Sequence, residues 1–204
     1  MNEQIRVLIA DDQQLVRGAL AALLNTERDI SVVAEVGSGD LVVAAALEHR
    51  VDVAVLDIEM PGLTGIEAAG LLKTQAPHVR SLIVTTFGRP GYVRRALQEG
   101  ASGFIVKDTP PAQLAEAIRR VASGLRVVDP TMAEDSLFTP NSPLTEREVE
   151  VCHVALKGGS VRDIAKEMHL SAGTVRNHMS SLIAKTGAGN RHAAVRAAEE
   201  NGWL

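Results

Sequence analysis

Short apolar runs alternate with amphipathic stretches over the first 125 or so residues. Ile5–Ala10, 31–36, 52–56, 81–85 and Gly103–Val106 are rich in Val, Ile and Leu and too short for buried helices, which predicts five strands. Between and after them, apolar positions recur at helical spacing near 13–25, 39–49, 64–75, 89–99 and 111–123. Pro61-Gly62 and Gly65 break the chain after the third strand. Pro90 and Pro110-Pro111 suit the first turns of the fourth and fifth helices. Strict strand–helix alternation implies a parallel sheet with helices on both faces.

Beyond residue 129 the pattern changes. Residues 129–143 hold three prolines among scattered polar positions and read as a linker. The strand signal then ends. Helical patterns follow near 145–157, 161–168, 172–186 and 190–200, separated by Gly158-Gly159, Leu170-Ser171 and Gly187–Gly189. The predicted organisation is an α/β domain over 1–128, a linker over 129–143 and an all-α domain over 144–204.

Composition narrows the class. A hydrophobic fraction of 46% supports a real core, and 2% aromatics makes that core aliphatic. The lone Cys152 excludes an internal disulfide and has no zinc-ligand spacing around it. No apolar run approaches a membrane span, and the N-terminal run lacks the basic flank of a signal peptide, so a cytoplasmic protein is expected. The net charge of −4 is uneven. Residues 1–143 hold 13 Lys+Arg against 18 Asp+Glu, and residues 144–204 hold 8 against 7. That asymmetry alone does not announce a nucleic-acid binder.

The strand ends carry the chemistry. Strand one runs into Asp11-Asp12, strand three into Asp57, strand four into Thr85-Thr86 and strand five into Lys107. In an open α/β sheet, ligands collect at the carboxyl ends of the strands. Three carboxylates, a hydroxyl and an ammonium brought there suit a divalent cation and a phosphoryl group. Asp11, Asp12 and Asp57, with the backbone carbonyl of Glu59, offer the oxygen donors that Mg²⁺ prefers. A carboxylate can accept a phosphoryl group as an acyl phosphate, and Lys107 can answer the developing charge. Each residue also has an ordinary reading: a helix cap for either aspartate of the pair, a surface lysine for Lys107, a β-branched strand residue for Thr85. Their joint placement at strand ends disfavours those readings.

In the all-α part, residues 161–170 and 171–185 read as helix, tight break, helix, with Ser171 as N-cap of the second. Such a pair is either a DNA-reading helix-turn-helix or an ordinary helical hairpin.

Residues 5–123 resemble the receiver domain of bacterial two-component response regulators. The resemblance rests on Asp11-Asp12, on Leu56-Asp57-Ile58-Glu59-Met60-Pro61-Gly62, on Val84-Thr85-Thr86 and on Phe104-Ile105-Val106-Lys107-Asp108. Leu144-Thr145-Glu146-Arg147-Glu148, Ile164-Ala165 and Ser171-Ala172-Gly173-Thr174-Val175-Arg176-Asn177-His178 resemble the LuxR-type helix-turn-helix. Together they are similar to the NarL/FixJ class. The resemblance implies a flavodoxin-like (βα)5 receiver and a phosphoacceptor, Asp57, served by a sensor histidine kinase. It also implies Mg²⁺ on Asp12, Asp57 and the Glu59 carbonyl, and a switch in which Thr85 moves toward the phosphoryl group while Phe104 turns inward.

For the second domain it implies double-stranded promoter DNA as partner and a homodimer on phosphorylation. Arg176, Asn177 and Ser180 would face the groove, with Thr174 and Lys185 as backbone contacts. His178 reads either as a further backbone contact or, in preference, as a partly buried structural histidine. Ser180 stands where a basic residue is often found. The last helix, rich in alanine, would form a dimer contact in the class, although it must also pack on its own domain. The first helix is more apolar than one buried stripe requires, so a second dimer face beside the fifth helix is expected. Asp12-Gln13-Gln14, Asp57-Ile58-Glu59-Met60-Pro61-Gly62, the segment Thr85–Tyr92 and Gly202-Trp203 are similar to regulators of membrane-lipid desaturation, which implies a kinase sensing membrane state. The rivals are a regulator acting without phosphorylation and a phosphatase using Asp57 in turnover, with Glu59 as its second carboxylate. The chain reads as a switch rather than an enzyme.

Overall fold

The computed structural model describes residues 4–86, 90–129, 132 and 142–204. They form two compact units, one built on a sheet and one helical. Most of the predicted linker, 129–143, lies outside the described residues, as does position 89 of the fourth predicted helix.

In the first unit, strands β1 (Ile5–Ala10), β2 (Ile30–Val36), β3 (Val53–Leu56), β4 (Arg80–Thr85) and β5 (Gly103–Val106) alternate with helices. These are α1 (Gln14–Leu24), α2 (Val42–Glu48), α3 (Gly65–Gln75), α4 (Pro90–Glu99) and α5 (Pro111–Ala122). The sheet is wholly parallel, in the order β2-β1-β3-β4-β5-β6. The expected flavodoxin-like (βα)5 order is thus present, with one addition. Val127–Val128 form a short β6 on the outer edge of β5, where only the end of the domain was predicted. Two residues carry too little periodicity to be read from sequence. A second departure is the stretch 39–49, which opens with a 3₁₀ turn, Gly39–Leu41, before α2 begins.

The strands alternate faces as their period of two requires. Val7, Ile9, Val53, Val55, Leu82, Val84 and Ile105 form one aliphatic layer with α1 and α5. The other set, including Leu8, Ala54, Leu56, Ile83 and Phe104, is equally buried. Parallel sheets covered on both faces read as continuous apolar runs, which is why all four residues of β3 are buried. Helix α1 buries only Ala21 and Leu24 fully. Leu15, at 86% exposed, and Leu23 face outward with Ala19 and Ala22, so the predicted apolar excess lies on the surface.

The second unit holds α6 (Glu146–Leu156), α7 (Val161–Glu167), α8 (Ala172–Thr186) and α9 (Arg191–Glu200). Their starts are fixed by side chains. Thr145 with Glu148 and Ser160 with Asp163 form reciprocal capping pairs. Ser171 accepts from Thr174 N, as predicted, and Asn190 from Ala193 N. Gly187, at φ 67°, ends α8 in a left-handed cap. Val151, Cys152, Ile164, Val175, Met179, Leu182, Ala194 and Ala198 make the core. Among the described residues no helix is long and apolar enough to cross a membrane.

Candidate functional site

Sheet register brings the predicted residues together. Ala10 pairs with Leu56, so the next residues, Asp11 and Asp57, emerge side by side. Thr85 pairs with Val106, and Lys107 N donates to Thr85 O at 2.7 Å, which places Lys107 at the same end. The Lys107 ammonium then bridges the two carboxylates, at 2.7 Å from Asp11 Oδ2 and 2.8 Å from Asp57 Oδ2. Asp11 and Asp57 are 1% and 5% exposed, whereas Asp12 is exposed. The remaining oxygens are held by backbone: Ile58 N donates to Asp57 Oδ1 and Gln13 N to Asp11 Oδ1, both at 2.8 Å.

The electrostatics are unbalanced in one direction. Burial raises the pKa of Asp57 above the usual carboxylate range, against the lowering effect of Lys107 and with help from the Asp11 charge. Burial pulls the Lys107 pKa down, but hydrogen bonds to Asp11 and Asp57 outweigh it and leave the ammonium more firmly protonated. One cation therefore serves two buried carboxylates. Asp11, Asp12 and Asp57 bring ligand oxygens within 4.8 Å of one another. Among the described residues, Lys107 is the cation paired with these carboxylates, one positive charge against three. An all-oxygen set with that residual charge fits a hard divalent cation such as Mg²⁺.

Neighbours beyond the predicted site residues shape the site. Arg17 Nη1 donates to the Asp11 carbonyl at 2.5 Å, fixing the turn that carries the acidic pair. The loop between β3 and α3 is pinned on two sides. Gly65 N donates to Ile58 O, and Gly39 N to Pro61 O, each at 3.1 Å. Ser38 Oγ adds a bond to Pro61 O at 2.9 Å. A methyl group at Gly65 would sit 2.0 Å from the Asp57 carbonyl, and one at Gly39 would sit 1.9 Å from the Leu63 carbonyl. Both contacts need glycine because backbone approaches backbone. Pro61-Gly62 signalled a turn, but nothing local signalled what the turn would dock against. Glu59 lies exposed within this pinned loop. Thr85 is 4% exposed at the end of β4, and Phe104 is fully buried on β5, paired with Ile83.

In the second unit, Arg176, Asn177 and Ser180 are exposed on α8, on the face opposite Val175, Met179 and Leu182. Thr174 is half-buried and bonded to Ser171 Oγ at the helix start. His178 is half-buried, in keeping with a structural role. Lys185, expected as a backbone contact, has a partner within its own domain. Its ammonium donates to Glu148 Oε2 at 2.6 Å, an ion pair whose acidic side is 5% exposed. Glu148 also accepts from Ser181 Oγ at 2.6 Å and from Thr145 N at 2.7 Å. Burial opposes its ionisation, yet the bonds from Lys185, Ser181 and Thr145 prevail and hold its pKa down at about 2.

Fold and site define a class, a parallel α/β domain with an acidic site at its strand ends followed by a separate helical domain. Comparison with known proteins agrees on both parts. Residues 7–119 match the response regulator receiver domain, and residues 142–198 match the bacterial regulatory proteins of the luxR family. The transcriptional regulatory protein DesR of Bacillus subtilis is 42% identical over 200 residues, spanning 98% of this chain and 99% of its own. The response regulator RamR of Streptomyces coelicolor is 38% identical over 205 residues, the full length of both. The crystal structure of the response regulator ChrA, from a heme-sensing two-component system, superposes with a TM-score of 0.59 at 32% identity. It covers 98% of this chain and 99% of that one. The chain belongs to the two-component response regulators with a LuxR-type DNA-binding domain.

Proposed function

We propose that Asp57 is the phosphoacceptor of a kinase-driven transcriptional switch. A carboxylate oxygen of Asp57 attacks the phosphorus of a phosphohistidine on a sensor kinase. The P–N bond breaks, the imidazole leaves, and an acyl phosphate remains on Asp57. The observation that carries this reading is the Asp11–Lys107–Asp57 bridge, in which a buried carboxylate shares one cation with a neighbour. Asp11, Asp12, Asp57 and the Glu59 carbonyl would hold Mg²⁺, which when bound neutralises charge on the transferring group.

Lys107 keeps its ammonium through the reaction and takes up a phosphoryl oxygen. The Thr85 hydroxyl donates to another, and Phe104 repacks with it. Phosphorylation adds up to about two negative charges and three acceptor oxygens, which bias a two-state equilibrium of β4 and β5. Dimerisation follows on the exposed stripe of α1, Leu15, Ala19, Ala22 and Leu23, beside α5. Paired second domains then bind half-sites about 34–36 Å apart on double-stranded promoter DNA. Arg176, Asn177 and Ser180 face the groove, with Thr174 at its edge. The resemblance of Asp12-Gln13-Gln14, Thr85–Tyr92 and Gly202-Trp203 to regulators of membrane-lipid desaturation supports membrane-lipid genes as targets, and promoter DNA as partner supports a cytoplasmic site of action.

The test is labelling by acetyl phosphate in the presence of Mg²⁺. Asp57→Ala is expected to abolish both the label and the phosphorylation-dependent dimer. A label retained at another residue overturns the assignment.

A further inference from the structure

Glu148 does two jobs at once. It completes the cap of α6 through Thr145 and crosses to α8, where Ser181 and Lys185 both donate to it. It is 4% exposed, the buried carboxylate among the described residues of this unit. Ser181 and Lys185 lie four residues apart, one turn of α8, so two points along that helix are tied to one fixed carboxylate. A single tie would let the helix rotate about its axis or slide. Two ties a turn apart oppose both motions. The exposed residues of the same helix, Arg176, Asn177 and Ser180, keep whatever rotation those ties impose.

We infer that Glu148 is a positioning residue for DNA recognition, setting the rotation and axial register of α8 through Ser181 and Lys185, and that Lys185 acts as a pin rather than as a phosphate contact. The inference rests on the DNA-binding reading of α8 and adds a residue that touches no DNA. Replacing Glu148 removes the buried carboxylate to which the solvent-facing Lys185 is tied, so that tie is lost. A helix displaced by a fraction of its side-chain spacing loses base contacts before it loses phosphate contacts, because only the former require matched edges.

The probe is the duplex that the unaltered full-length chain enriches from a random-sequence pool, measured against a scrambled duplex across a salt series. Glu148→Gln is expected to lower the specific-to-scrambled affinity ratio by about tenfold, the scale of one lost base contact. Lys185→Met is expected to lower the ratio similarly while leaving the salt slope unchanged, and Lys185→Arg to restore the ratio. Thermal melting confirms that each variant is folded at the assay temperature. Should Glu148→Gln fail to fold, Ser181→Ala removes one tie and is expected to lower the ratio in the same direction. An unchanged ratio in the folded Glu148 or Ser181 variant overturns the inference. So does a salt slope that falls by about one phosphate contact in Lys185→Met. Failure of the unaltered chain to enrich any duplex overturns the DNA-binding reading itself and this inference with it.

Discussion

Lys107 Nζ lies 2.8 Å from Asp57 Oδ2, although the two residues stand fifty apart in the chain. The same ammonium is 2.7 Å from Asp11, so Asp57 has only a share of its counter-charge. Asp57→Asn removes one buried negative charge while keeping an acceptor for Lys107. It is expected to raise Tm by a few degrees at pH 7 without Mg²⁺, on the order of 1 kcal/mol. It is also expected to remove the Mg²⁺-dependent gain in Tm. The folded-state pKa of Asp57 is raised, so its ionisation costs stability at neutral pH, and that cost disappears as pH falls through the raised value. The Tm advantage of Asp57→Asn therefore shrinks in acid. Differential scanning fluorimetry across pH, with and without Mg²⁺, checks each part.

Glu148 has the opposite sign. Its folded pKa of about 2 lies below that of an unfolded glutamate. The stability it contributes is fully present above the unfolded value, about 4.3, and is lost as pH falls toward 2. Glu148→Gln is expected to cost on the order of 2 kcal/mol at neutral pH and to flatten the acid limb of the stability profile. Urea melts monitored by circular dichroism at several pH values measure this.

Gly39→Ala tests the pinned acceptor loop without touching a carboxylate. Its methyl group cannot share space with the Leu63 carbonyl, so the loop after Asp57 must shift. Mg²⁺ affinity and the rate of acetyl-phosphate labelling are expected to fall about tenfold or more, the scale expected when a reacting group is misplaced. Isothermal titration with Mg²⁺ and timed mass spectrometry read the two effects.

Leu15→Asp places a charge on the exposed face of α1. Labelling at Asp57 is expected to proceed unchanged while the phosphorylated dimer is lost. Sedimentation velocity of the labelled protein decides it, and a dimer of undiminished stability would remove α1 from the proposed interface.

Ser180→Lys supplies a cation on the exposed face of α8. Affinity for any duplex is expected to rise, with the salt slope steepening by about 0.9, the value of one phosphate contact. Fluorescence anisotropy over a salt series provides the slope.

The pattern of apolar positions was enough to place all five main strands and nine helices of the described chain, because doubly covered strands read as short continuous apolar runs and the helices show their spacing. The site was legible for a related reason. Strand-end residues in a parallel sheet meet by topology, so Asp11, Asp57 and Lys107 converge without any further information. What escaped was set by tertiary docking. The Lys185 side chain looks like any exposed cation until Glu148, 37 residues earlier, is seen to hold it. Gly39 looks like loop punctuation until Leu63 closes on it. The two residues of β6 have a place in the sheet only because β5 offers an edge.

That edge has a further consequence. Val127 N donates to Ser102 O and Asp129 N to Phe104 O, at 3.1 and 3.2 Å. The outgoing chain is therefore stitched to the strand that bears Phe104 and runs into Lys107. In the proposed switch a shift of β5 would carry residue 129 with it, so the segment that follows is rooted on the strand expected to respond.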